Sequence, residues 1–162
     1  MFDAKLLALS ETILTAARAQ SLRLATAESC TGGLIASVLT EIPGSSDVFG
    51  RGYITYSNRA KEELLDLPAS LLKEFGAVSA PVARAMAAGA LKKSSAHLAV
   101  AVTGIAGPGG GTDEKPVGLV HFAAARTGHD TIHVEHRFGD IGRSAVRMKS
   151  VEAGLLLLQR LL

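Results

Sequence analysis

Residues 22–39, Leu22-Arg-Leu-Ala-Thr-Ala-Glu-Ser-Cys-Thr-Gly-Gly-Leu-Ile-Ala-Ser-Val-Leu39, change their hydrophobic period halfway along. Leu22 to Ala27 is a short apolar run of strand length, whereas Leu34, Ile35, Val38 and Leu39 recur at helical spacing. The residues between, Glu28-Ser29-Cys30-Thr31-Gly32-Gly33, therefore read as a strand-to-helix turn. Pro43-Gly44-Ser45-Ser46 stops the helix.

The same alternation continues on either side. Leu6, Leu7, Ile13, Leu14 and Ala17 place an amphipathic opening helix over residues 3–20. Downstream, Phe49 to Tyr56 reads as a second strand, rich in strand-favouring Tyr53, Ile54, Thr55 and Tyr56. Asn58 is suited to cap the helix that follows, which carries Lys61 in about its first turn. Another helix is expected over Ala80–Lys93, and His97 to Thr103 is a third strand, apolar on both faces as central strands are. After the glycine-rich loop Gly104–Gly111, Val117–Arg126 and Thr131–Phe138 form two strands around Thr127-Gly128-His129-Asp130, a hairpin. A last helix starts near Asp140 and reaches Leu162, with Val146, Val151, Leu155 and Leu158 on its inner side. This order implies an α/β fold: a mostly parallel sheet with one antiparallel strand in the C-terminal hairpin, and helices on both faces. No linker or internal repeat divides the chain, so residues 1–162 are expected to form a single domain.

Composition narrows the function classes. A chain of 162 residues buries a core without staples. With no Trp, two Tyr and five Phe, it lacks the rings of a single-strand nucleic-acid stacking platform. The net charge of +2 is small and the Lys and Arg alternate with acids, so neither a nucleic-acid nor a membrane-surface footprint is evident. One cysteine, Cys30, excludes an intramolecular disulfide. No secretory leader pattern opens the chain, and the apolar run Leu155–Leu158 is far too short to span a bilayer. The expectation is a cytoplasmic protein.

In open α/β sheets, ligands bind beyond the carboxyl ends of the strands. Three unusual segments, Ser29–Gly33, Tyr56–Lys61 and Thr103–Gly111, all follow strands and should meet there. Ser29 stands where a hydroxyl can be exposed while the N–H groups of Thr31, Gly32 and Gly33 face an incoming ligand, the geometry of an oxyanion site. Ser before a helix is equally an ordinary N-cap. A nucleophilic serine needs a base, and no His lies near these loops: His97 and His121 belong to strands, and His129, His133 and His136 to the hairpin. Lys61 is the better candidate if burial or a neighbouring cation keeps its amine neutral, although a Lys at a helix start is usually solvated. Tyr56 stands where its hydroxyl can bond both groups and relay a proton, or simply pack. Cys30 is a rival thiolate, but its side chain should diverge from that of Ser29, and an inert buried thiol is the simpler state.

The loop from Gly104 through Gly107 to Gly111 lets backbone approach a ligand, yet it matches neither the Walker pattern nor a dinucleotide fingerprint. Arg143 and Arg147, one turn apart, suit a phosphate or a solvated helix face. Metal binding is disfavoured, because His133 and His136 are three apart in a strand and face opposite sides.

Several segments together resemble one family, the C-terminal domain of CinA, the competence/damage-inducible protein, with its stand-alone PncC type. They are Thr26-Ala-Glu-Ser-Cys-Thr-Gly-Gly33, Tyr53-Ile-Thr-Tyr-Ser-Asn58 with Lys61, Val78-Ser79, Ala101-Val-Thr-Gly-Ile-Ala-Gly-Pro108, Gly110-Gly-Thr112 and Lys115-Pro-Val-Gly118. The resemblance covers roughly residues 5–160. It implies a three-layer α/β/α domain with a five-stranded mixed sheet, and hydrolysis of nicotinamide mononucleotide to nicotinic acid mononucleotide and ammonia without metal or cofactor. It also implies a homodimer. Carried over by position, Ser29 looks like the nucleophile, Lys61 the base, Tyr56 the connecting hydroxyl and Thr103 a further essential polar group. Arg143 looks like the phosphate-binding cation, with Thr31, Gly32, Gly33, Asn58, Gly104 and Gly107 lining the substrate. One departure stands out. The family's Gly-Asp-Arg is here Gly139-Asp140-Ile141-Gly142-Arg143, which leaves the phosphate role open between Arg143 and Arg147. The alternative is a non-catalytic module that binds a nucleotide or a partner linked to competence or DNA damage.

Overall fold

A computed structural model describes residues 2–162. Its five-stranded sheet has the order β2-β1-β3-β4-β5, built from β1 (Leu24–Glu28), β2 (Phe49–Ile54), β3 (Leu98–Gly104), β4 (Leu119–Arg126) and β5 (Ile132–Arg137). β1 pairs parallel with β2 and with β3, while β4 runs antiparallel to both β3 and β5. β4 is thus the one reversed strand, as the hairpin pattern implied. Among the described residues there are six α-helices, α1 (Ala4–Ala19), α2 (Leu34–Thr40), α3 (Asn58–Leu65), α4 (Ala69–Phe75), α5 (Ala80–Lys93) and α6 (Arg143–Gln159), and a 3-10 turn over Ser45–Asp47.

The layers follow from side-chain alternation along the strands. Leu24, Val100, Val102, Phe122 and Ala124 face a core shared with Ile13, Leu14, Ile35, Leu39, Val151, Leu155 and Leu158 of α1, α2 and α6. Ala25, Ala27, Ala99, Ala101, Ala123 and Ala125 face the other side, against Val82, Ala83, Met86, Ala87 and Ala90 of α5. The second interface is made almost wholly of alanines, so backbones approach closely there. At Gly89 an added Cβ would lie 2.2 Å from the Leu65 carbonyl oxygen, which shows how tightly α5 crosses the end of α3.

Most element ends shift by one to three residues from the expectation, and three of these shifts bear on the site. The second strand stops at Ile54: Thr55 still gives its N–H to the Glu28 carbonyl (2.8 Å), but its own carbonyl accepts Lys61 Nζ (2.7 Å) instead of a strand partner. Helix α3 is capped by Ser57, whose Oγ accepts the Ala60 N–H at 3.0 Å; Asn58 is its first helical residue, not its cap. The last helix begins at Arg143 rather than near Asp140, after Gly142 at φ +91°. Helix α4 had no signal: it has seven residues and buries only Leu72.

Candidate active site

The site begins with the turn after β1. Ser29 donates its N–H to the Val102 carbonyl (2.9 Å), which ties the turn to β3, and the Gly32 N–H closes it on the Ser29 carbonyl at 3.0 Å. Gly32 and Gly33 then take φ of +60° and +96°, left-handed values that L side chains resist, and this is why two glycines stand there. The Ser29 side chain is left half-buried at the rim. Cys30 packs into the core on the α2 side, and burial pushes its thiol up to about 12. A thiolate there is out of reach near neutral pH.

Glu28, the last residue of β1, had no assigned role. It is completely buried, and its carboxylate accepts three N–H groups, those of Gly33 (3.0 Å), Ile35 (3.0 Å) and Ala36 (2.8 Å). The first turn of α2 is therefore capped from within. This corrects the expectation for the helix start, since the Gly32 and Gly33 N–H groups are already committed. Among the described residues, the N–H groups of Cys30 and Thr31 have no acceptor. A strand whose final residue is acidic, with the Gly32-Gly33 pair following after Ser29-Cys30-Thr31, was the available signal for this arrangement.

Lys61 lies in the first turn of α3 and is only 1% exposed. Its Nζ donates to the Thr55 carbonyl at 2.7 Å and to Ser29 Oγ at 3.1 Å. Among the described residues no carboxylate comes within ion-pair distance of it. Burial without a counter-charge disfavours the ammonium form, so the pKa falls from 10.5 to about 8. A fraction of the amine is then neutral near pH 7, at hydrogen-bond distance from a hydroxyl.

Tyr56 was expected to bond both groups. Instead it is 58% exposed, and its hydroxyl receives a hydrogen bond from Arg143 Nη2. Because Lys61 touches Ser29 directly, no relay stands between them. Arg143 also donates through Nη1 to the Gly107 carbonyl (2.9 Å), which joins the start of α6 to the glycine loop. Arg147 points elsewhere: Nε bonds the Cys30 carbonyl (3.1 Å) and Nη2 the Thr31 carbonyl (3.0 Å). Thr103 is buried and gives its hydroxyl to the Ala77 carbonyl at 2.8 Å.

A cleft of about 250 Å³ opens over these groups, lined by Ser29, Cys30, Tyr56, Gly104–Gly107, Gly109, Gly110 and Arg143. The structure thus brings Ser29, Tyr56, Arg143, Gly104 and Gly107 to one opening, with Lys61 beneath Ser29. Asn58 is exposed and does not line it, and neither do Arg147, Thr31, Gly32 and Gly33. Outside this site, the Nδ1 of His121 lies 3.0 Å from Nε2 of His133, a contact between adjacent strands that spacing along one strand cannot reveal.

Comparison with known proteins gives the family and the fold. The family model for the CinA C-terminal domain matches residues 6–162. A CinA-like protein of Synechococcus sp. (strain RCC307) is 54% identical over 153 residues, covering 93% of this chain and 36% of that protein. The chain thus spans about a third of the length of such curated relatives. Among solved structures, the competence/damage inducible protein CihA from Agrobacterium tumefaciens superposes with a TM-score of 0.98 at 50% identity, covering 99% of this chain and 98% of that one. A competence-damaged protein (CinA) superfamily structure from Escherichia coli gives a TM-score of 0.92 at 33% identity, covering 100% of this chain and 94% of that one. The fold, the motifs around Ser29 and Lys61 and these matches make this chain a member of the CinA C-terminal domain family.

Proposed function

We propose that this chain is a serine amidohydrolase that releases ammonia from nicotinamide mononucleotide and leaves nicotinic acid mononucleotide. The observation that carries the reading is the buried Lys61 amine, 3.1 Å from Ser29 Oγ and without an acidic partner. With Nζ deprotonated, its lone pair takes the Ser29 proton as Oγ attacks the carboxamide carbon. The unengaged Cys30 and Thr31 N–H groups are the donors we assign to the developing oxyanion. Collapse of the tetrahedral intermediate expels the amide nitrogen, which takes the proton held by Lys61 and leaves as ammonia. Water then attacks the acyl-enzyme with Lys61 again as base, which yields the carboxylate and restores Ser29. Arg143 lines the same cleft and supplies a fixed positive charge for the substrate phosphate, while Arg147 is occupied by two carbonyls. This favours Arg143 for that role.

Release of ammonia from nicotinamide mononucleotide tests the reading, with Ser29→Ala, Lys61→Met and Cys30→Ala compared against the parent chain. Loss of turnover by at least a thousandfold in the first two, with Cys30→Ala active, is the expected pattern. Retained turnover in Ser29→Ala with loss in Cys30→Ala would transfer the nucleophile to the thiol. A parent chain that binds the mononucleotide but frees no ammonia would make it a binding module.

A further inference from the structure

Two ionised side chains grip the nucleophile turn from opposite sides, and neither reaches the cleft. From the sheet side, the Glu28 carboxylate holds the N–H groups of Gly33, Ile35 and Ala36. From α6, the Arg147 guanidinium holds the Cys30 and Thr31 carbonyls through Nε and Nη2. The five bonded backbone groups lie within residues 30–36, directly after Ser29. Cys30 sits between the two charges, which act on its thiol in opposite senses. The turn needs such fastening, because Gly32 and Gly33 give it left-handed backbone with little intrinsic rigidity. An added Cβ at Gly32 would come within 3.4 Å of Arg147 Nη2, so the guanidinium lies close against this backbone.

We infer that Glu28 and Arg147 are positioning residues of the hydrolytic site, a paired clamp that fixes Ser29 Oγ on Lys61 and holds the Cys30 and Thr31 N–H groups ready for an oxyanion. Bonding carbonyls on one side and N–H groups on the other restrains both translation and twist of the turn, which neither contact does alone. The carboxylate also fills the start of α2, so that helix end is closed to a substrate anion and the phosphate is left to the Arg143 side of the cleft. A shift of about 1 Å in a nucleophile is enough to cost a hundredfold in rate. This inference rests on Ser29 being the nucleophile.

The test measures Ser29 nucleophilic reactivity and turnover separately. A fluorophosphonate probe reports the rate of modification at Ser29 whatever the natural amide is, and ammonia release from nicotinamide mononucleotide gives kcat and KM. Glu28→Gln keeps the shape but turns an amide NH2 toward a backbone donor. Arg147→Lys keeps the charge but loses the two-carbonyl fork, and Arg147→Met removes both. For each variant that retains the parent melting temperature within about 3 °C, kcat and the probe rate should fall tenfold to a hundredfold together, with KM changed less than threefold. Arg147→Lys should recover only part of the loss seen in Arg147→Met.

If Glu28→Gln does not fold, the two Arg147 variants decide, since that side chain is only half-buried. Folded variants with parent-like probe rates and kcat overturn the clamp while leaving the nucleophile in place. So does a loss confined to KM. A parent chain that never reacts at Ser29, yet still frees ammonia, overturns the nucleophile assignment and the clamp with it.

Discussion

Replacing Lys61 by Met should make the protein more stable at neutral pH while destroying its activity. The structure buries the Lys61 amine with no acidic partner and lowers its pKa from 10.5 to about 8. A depressed lysine pKa means that the folded state disfavours the proton which the unfolded chain still binds. Below pH 8 both states are protonated and the folded state bears the whole penalty, about 3 kcal/mol for such a shift. Between pH 8 and 10.5 the unfolded state holds more protons than the folded one, so stability rises with pH, and above 10.5 the penalty is gone. Methionine fills similar volume without charge but loses the two hydrogen bonds to Thr55 and Ser29, a loss of about 2 kcal/mol. The variant should therefore exceed the parent by about 1 kcal/mol at pH 7 and fall below it by about 2 kcal/mol at pH 10.5. Urea unfolding at 25 °C, followed by circular dichroism at both pH values, reads this difference, and groups titrating alike in both proteins cancel from it. A stability difference that keeps the same sign and size at pH 7 and 10.5 would refute the reasoning, because it would mean that Lys61 carries no burial penalty.

The same titration should govern the proposed turnover. With Lys61 acting as a neutral amine, kcat/KM should rise about ninefold from pH 6 to 7 and about fivefold from pH 7 to 8, then level off; a profile that falls with pH would exclude it as base. Arg143→Met should raise KM for the mononucleotide by tenfold or more and leave it little changed for the corresponding nucleoside, measured in parallel by ammonia release. Gly89→Ala, a change that usually stabilises a helix interior, should here cost 2 kcal/mol or more, since its Cβ would meet the Leu65 carbonyl at 2.2 Å; urea unfolding checks the sign. Ser57→Ala should cost about 1 kcal/mol by uncapping α3, and the same measurement on Asn58→Ala should show a smaller effect.

The periodicity of residues 22–39 carried most of the fold, because a change from strand to helical spacing is a local property that the tertiary structure preserved. The reversed strand β4 was equally legible from the turn residues 127–130 between two apolar runs. Helix α4 was hidden because one buried side chain, Leu72, generates no period. Of the candidate site, Ser29, Lys61 and the glycine loop stood out as residues placed after strands, and that placement is what topology converts into proximity. The roles of neighbours were less legible, since they depend on which hydrogen bonds are already taken. Glu28 claims the amides that the turn motif alone makes free, Arg147 claims two carbonyls, and Tyr56 turns to Arg143 instead of Lys61. Ser57 and Asn58 are both good caps, and only the backbone decides between them.

The strand order puts β1 between β2 and β3, so the pieces of the cleft come from stretches centred on residues 29, 56, 105 and 143. No fragment of the chain holds a working subset of them, and every piece is brought into place by long-range pairing. On the proposed function, turnover should therefore double as a gauge of global order: a loosened β1–β3 ladder or a detached α6 should silence it before the chain has lost much of its helix content.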